Sequence, residues 1–189
     1  MQEVANSMKL SLLRNALVAV MLLSAPAFAA AKSEPVTADN WLHHPKTIAV
    51  RDLYKSVEAG ITSELFKVER RAFEYCEPYA DVSRVIGARG DGLIRKYQYE
   101  GGSDDSVIKV SHYYDDRGTL RFVFARAGAV NGTVVEYRIY FDEGGERFWH
   151  DYRQIAGPGY TFPLIWPEEW LIRKPRASFN ARNRCPDKY

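Results

Sequence analysis

The sequence predicts an α+β fold that is mainly β: an antiparallel meander sheet of about six strands, one N-terminal helix packed on it, and an irregular C-terminal tail. Three observations predict it. Only one stretch of the chain after residue 30, beginning near Pro45, carries apolar residues at helical spacing. From Leu65 to Ile155, short aromatic and β-branched runs are joined by loops too tight for parallel neighbours, which need a long crossover. The pattern Tyr113-Tyr114-Asp115-Asp116-Arg117-Gly118, followed by Arg121-Phe122, returns about 27 residues later as Tyr140-Phe141-Asp142-Glu143-Gly144-Gly145, followed by Arg147-Phe148.

The first 29 residues read as an export signal. Lys9 and Arg14 give a charged start, Ala16 to Leu23 an apolar stretch, and Ala27-Phe28-Ala29 a small-x-small cleavage pattern, with Met8 as an alternative start. The apolar stretch is too short for a membrane span, which needs about 20 residues. The competing reading is a buried N-terminal helix. Export places the protein in the periplasm or outside the cell, with no membrane span after signal cleavage. In the 189-residue chain, 46% hydrophobic and 26% charged residues fit a soluble globular domain, and a formal net charge of +2 without a long basic run excludes nucleic acid as an obvious partner.

Residues 30–46 are polar and carry Pro35 and Pro45, and they read as an arm on the surface leading into a single domain over 47–189. Val50, Leu53, Tyr54 and Val57 then form one helical stripe, with Pro45 at the start and Gly60 expected at the stop. Strands follow over 65–76, 93–99, 107–114, 120–127, 133–141 and 147–155, with 83–88 a candidate for another short one. Asp115 to Gly118 and Asp142 to Gly145 have the residue order of a type I turn followed by a left-handed glycine. Asn131-Gly132 predicts a two-residue type I′ turn that sets Phe124 opposite Ile139 and Phe122 opposite Phe141. Asn131-Gly132-Thr133 is also a glycosylation sequon, relevant in a eukaryotic source. The Pro- and aromatic-rich tail after Gly157 is expected to wrap the sheet, with a single helical turn at Pro167 to Trp170. An even cysteine count in an exported chain predicts a Cys76–Cys185 disulfide, worth about 4–5 kcal/mol at most by loop entropy. A redox or metal role would want a second ligand nearby.

Residues that could carry chemistry are few. G-x-S-x-G, H-E-x-x-H and P-loop patterns are absent. His43 and His44 read as an exposed pair or a surface metal site, and His112 and His150 as half-buried imidazoles bonded to neighbouring Tyr, or as a metal pair or an acid–base pair helped by Asp151. The predicted registers set Arg126, Tyr137 and His150 in one polar row, either a core network or a site for an anionic or sugar-like ligand. They also set Arg138 opposite Trp149 as a cation–π pair. Asp115, Asp116, Asp142 and Glu143 fall at one end of the sheet as an acidic rim for a partner. With Asp104 and Asp105 they could also bind Ca²⁺, although EF-hand spacing is missing and turn chemistry explains them.

These residues point to an exported non-enzymatic binding protein that recognises another envelope protein, as inhibitor or adaptor, with no cofactor and no metal. A carrier of a lipid, sugar or peptide is the alternative, and a hydrolase built on Tyr137, His150 and Asp151 a third reading. An open meander also leaves edge strands through which two copies could pair.

Overall fold

The structure, a computed structural model, describes residues 34–73, 81–162 and 171–182. Helix α1 spans Pro45–Thr62, and seven strands follow: β1 Lys67–Ala72, β2 Asp81–Ala88, β3 Ile94–Ser103, β4 Ser106–Tyr114, β5 Leu120–Ala129, β6 Val134–Phe141 and β7 Arg147–Ala156. A short helix, α2, covers Pro175–Asn180. The strands lie in chain order in one sheet, each antiparallel to the next. The meander with one main helix is therefore the observed fold, with seven strands instead of about six. The additional strand is β2, a weak signal because Gly87 interrupts its short apolar run. The Cys76–Cys185 pair, the Pro167 to Trp170 turn and the signal segment lie outside the described residues.

The helical stripe docks as its spacing requires. Val50 and Val57 are fully buried against Tyr113, Phe122 and Tyr140, with Leu53 and Tyr54 packed beside them. Two expectations about α1 are corrected. Gly60 does not stop the helix, which runs on to Thr62 and leaves through Glu64 at φ 59°. Gly60 is a close-approach residue: a Cβ there would sit 2.8 Å from the Phe66 ring. The arm is not merely a surface segment either. Trp41 is buried, stacking at 6.0 Å on Trp149 and lying 6.1 Å from Tyr140.

Four hairpin turns share one hydrogen-bond pattern. In the turns ending at Gly92, Gly118, Gly132 and Gly145, the glycine N–H donates to the carbonyl three residues back. Each glycine has φ between 79° and 84°, the left-handed position that follows a type I turn. This bears out the reading of Asp115 to Gly118 and Asp142 to Gly145. It corrects the type I′ turn at Asn131-Gly132. Asn131 spends its side chain as an acceptor for the Thr133 N–H, at 3.0 Å, and only Gly132 takes positive φ. The loop gains one residue, so Phe124 faces Arg138 and Phe122 faces Tyr140. A second slip, between Tyr140 and Phe141, sets Tyr137 opposite Tyr152 and Ile139 opposite His150.

The sheet is covered on both faces. The arm and α1 lie over Tyr113, Phe122, Tyr140 and Trp149. On the other face Leu171, Ile172 and Phe179 from the tail pack on Ile86, Ile94, Tyr97, Val123 and Phe141. Nearby, Phe162 and Tyr160 pack on Ala127 and Val135. The tail is fastened by cations and a phenol reaching backbone carbonyls. Buried Arg84 donates to Ser178 and Ala181 at 2.9 and 2.7 Å, Arg71 to Phe179 at 2.6 Å, and the Tyr114 hydroxyl to Ile172 at 2.7 Å.

Candidate functional site

Because α1 spans only part of its face of the sheet, a cleft opens along one flank. Val50, Arg51, Tyr54 and Lys55, spaced i, i+1, i+4 and i+5 along α1, form one wall. Phe122 and Phe124 of β5, paired with Tyr140 and Arg138 of β6, form the floor. The cleft encloses about 230 Å³ and stays open to solvent. Its aromatic rings are fixed by mutual contact: Tyr54 stands edge-on to Tyr113 at 5.1 Å and to Phe122 at 5.8 Å, and Phe122 lies 5.0 Å from Tyr140.

Three cations line the cleft and no acidic side chain does. They are held differently. The Arg138 guanidinium lies 5.3 Å over the Phe124 ring, donates from Nη2 to Glu136 Oε2 at 2.5 Å, and places Nη1 3.6 Å from Asp151. That Nη1 is buried and makes no hydrogen bond. Arg51 donates from Nη2 to the Leu42 carbonyl, which ties it to the arm. Lys55 is 73% exposed, and its ion pair with Asp52, also largely exposed, spans 3.8 Å, so its ammonium is the least committed of the three. Burial raises the Tyr54 phenol pKa, and the Glu58 carboxylate adds to the rise, so Tyr54 is neutral at physiological pH.

The residues singled out from the sequence are divided between the two faces. Arg126 and Trp149 lie on the helix side. Arg126 is exposed and sits 3.7 Å from Glu136, the residue it pairs with across the strands. Trp149 packs on Trp41, with a buried indole Nε1 that makes no hydrogen bond. Tyr137 and His150 lie on the tail side. Tyr137 packs on Tyr152 at 4.6 Å, and burial, followed by the neighbouring Tyr152, pushes its pKa up to about 12. His150 is exposed and faces Ile139. The expected Arg126–Tyr137–His150 row therefore does not form: the one-residue slip at the Asn131 loop turns Arg126 and Tyr137 to opposite faces, and the β6–β7 register puts Tyr152 where His150 was expected. Nor do Tyr137, His150 and Asp151 converge: Asp151 is on the helix side, accepting from Arg153 Nε at 2.8 Å. The expected Arg138–Trp149 pair is replaced by Arg138 over Phe124 and Arg153 over Trp41 at 5.7 Å.

The acidic rim is engaged in its own turns. Asp115 is buried and its Oδ1 accepts the N–H groups of Arg117 and Thr119, both at 2.9 Å. Burial works against its charge, but those bonds together with Arg117 and Arg121 win and lower its pKa. Asp142 Oδ1 accepts from the Gly144 and Glu146 N–H groups at 2.9 and 3.0 Å. Asp116 receives Arg89 and Arg95 at 3.0 and 2.6 Å, and Glu143 receives Arg121 at 3.2 Å. At the opposite end, Asp105 accepts from Ser103 and from the Tyr160 hydroxyl. Among the described residues, no group of three or more His, Cys, Asp and Glu is placed to hold a metal ion.

The histidines are also sorted by geometry. His43 is exposed, but His44 is buried and caps α1, its Nδ1 accepting the Lys46 N–H at 3.2 Å. The exposed His43–His44 pair is corrected accordingly. His112 is completely buried between Tyr97 and Tyr99, and neither ring nitrogen makes a hydrogen bond. Burial lowers its pKa to about 3.

Sequence reasoning missed the cleft as a site. Two signals for it were present: the basic pair Arg51 and Lys55, spaced i, i+4 beside the apolar stripe, and Arg138 interrupting the apolar run of β6. The register that joins them was not readable, since it depends on the extra residue in the Asn131 loop. Compared with known proteins, the chain matches no family model, no curated protein and no solved structure. Among the described residues, no helix is long and apolar enough to cross a membrane.

Proposed function

We propose that this chain is an exported binding protein that recognises another protein of the envelope, and that the cleft between α1 and strands β5 and β6 takes the partner's anchoring side chain. The observation that carries this reading is the lining of the cleft: four aromatic rings and three cations, of which Tyr54, Tyr140, Arg51 and Arg138 belong to the residue types that dominate protein interfaces. Size favours a side-chain anchor over a carried molecule. Pockets that enclose a free ligand usually measure about 300–1,000 Å³, whereas this cleft holds about 230 Å³ and is open on one side. The rings are braced by one another, so little side-chain entropy remains to be lost on binding.

The acidic rim offers less to a partner than its charge suggests, because its carboxylates already serve the turns and their arginines. The hydrolase reading draws no support from the separation of Tyr137 and His150 from Asp151. Capture tests the proposal. The chain as recovered after export is immobilised and exposed to envelope extract, beside Phe124→Ala and Lys55→Glu variants. The expected result is one saturable protein partner whose retention falls at least tenfold in both variants. Equal retention by all three forms, or no retained protein, would set the reading aside.

A further inference from the structure

We infer that the anchor accepted by the cleft is an acidic segment of the protein partner, in which a carboxylate sits beside an aromatic or aliphatic side chain. This rests on the binding reading above and adds the chemistry of the occupant. Charge complementarity and a division of labour among the lining residues select this occupant. The floor is apolar, made of Phe122, Phe124 and the ring of Tyr140, and it calls for an apolar body. The walls carry Arg51, Lys55 and Arg138 and no acidic side chain lines the cleft; Glu136 and Asp151 stand behind Arg138 and Asp52 beside Lys55, so the positive charge offered to an anion comes chiefly from Arg51 and Lys55.

Of these three, Arg138 is locked. Phe124 lies beneath it, and Glu136 and Asp151 are beside it. It therefore acts as a preorganised wall rather than a group that must move. Arg51 is committed to Leu42. Lys55, at the outer edge and held only by the long contact to Asp52, is free to turn onto an incoming carboxylate. A flexible ammonium is suited to that task, since it is a point charge with three rotatable donors. A cationic occupant would face the like charges of Arg51 and Lys55, and a neutral apolar one would leave Lys55 without a new partner.

The probe is 3-phenylpropanoate, which carries a carboxylate on an aromatic body, with 3-phenylpropanamide as its neutral isostere. Each is titrated into the isotope-labelled protein as recovered after export, and amide resonances are followed by NMR. The acid is expected to shift resonances of Tyr54, Lys55, Phe124 and Arg138 saturably. The amide should bind at least tenfold more weakly, and Lys55→Gln should weaken the acid several-fold while leaving the amide unchanged. Lys55 is exposed, so that variant keeps the fold. Equal binding of acid and amide, shifts confined to other surfaces, or no binding by either probe would overturn the inference. The two proposals fail separately. Cleft-dependent capture of a protein without probe binding leaves the binding reading standing and removes the acidic anchor. Probe binding without any captured protein removes the binding reading and with it the protein source of the carboxylate, leaving only the preference of the cleft for an acid. An amphiphilic small molecule retained in native mass spectra and displaced by 3-phenylpropanoate would replace the protein occupant and overturn the assignment of source.

Discussion

His112 shows what one buried side chain can do to the whole stability curve. Its imidazole is enclosed by Tyr97 and Tyr99 with both nitrogens unpaired, so the folded protein holds it neutral down to a pH of about 3, against an ordinary value of 6.5. Below pH 6.5 the unfolded chain takes up a proton that the folded chain refuses. The folded state therefore keeps its full advantage above pH 6.5 and loses it as pH falls toward 3, by up to about 1.4 kcal/mol per unit. Carboxylates held below their ordinary pKa, such as Asp115, add to the acid loss, so the test is a difference. Urea unfolding at pH 7 and pH 4.5 should show a drop in stability that is smaller by roughly 2–3 kcal/mol in His112→Phe than in the native protein. An equal drop in both would mean that His112 does not govern the acid response. From the sequence, His112 could equally have been a half-buried or a functional imidazole. Cover on both faces of the sheet, which buries β4 continuously from Val110 to Tyr114, put it inside.

At the scale of elements, the tail is held by few but strong contacts. Arg84 sits at 4% exposure and reaches two carbonyls near the end of α2, while Glu69 binds Arg176 from the same helix at 3.0 Å. Hydrogen bonds to a charged group contribute about 1.5–3 kcal/mol each when buried. Arg84→Leu is therefore expected to cost about 2–4 kcal/mol and to remove hydrogen-exchange protection from Ser178 and Ala181 before that of β4 and β5. Unchanged protection would mean that packing of Leu171 and Phe179 alone secures the tail. The elements were mostly legible beforehand. The stripe from Val50 to Val57 gave α1, and the Asp-first, Gly-last loops gave the turns at Gly118 and Gly145. Two things were not. The Asn131 side chain converts an apparent two-residue turn into a three-residue one, and a residue string does not show which carbonyl or N–H an asparagine will bind. Helix α2 is six residues long, below the length at which apolar periodicity can speak.

At the scale of the molecule, the two faces of the sheet have different tasks. The tail side is closed by Leu171, Phe179 and Phe162. The helix side is covered by α1 and the arm near the Gly118 and Gly145 turns, while ion pairs, including Lys109 with Glu100 across β4 and β3 and Arg153 with Asp151 along β7, occupy its other half. The cleft lies on this helix side, between the apolar half and the charged one. Its pieces were visible as a basic pair on a helix and an arginine in a strand, but they belong to one site only once Phe124 faces Arg138. That same slip separated Arg126 from Tyr137, while the β6–β7 register set Tyr152 rather than His150 opposite Tyr137. Both edge strands are charged: β1 carries Lys67, Glu69, Arg70 and Arg71, and β7 carries Arg147, Asp151 and Arg153.

The central claim is that the partner meets the protein at the cleft. A photo-crosslinking amino acid placed at position 55, at the mouth of the cleft, or at position 150, on the opposite face, tests it most directly in intact cells. The expected result is a discrete protein adduct from position 55, absent from position 150 and lost when Phe124→Ala is added. An adduct from position 150 alone, or equal adducts from both positions, would contradict it.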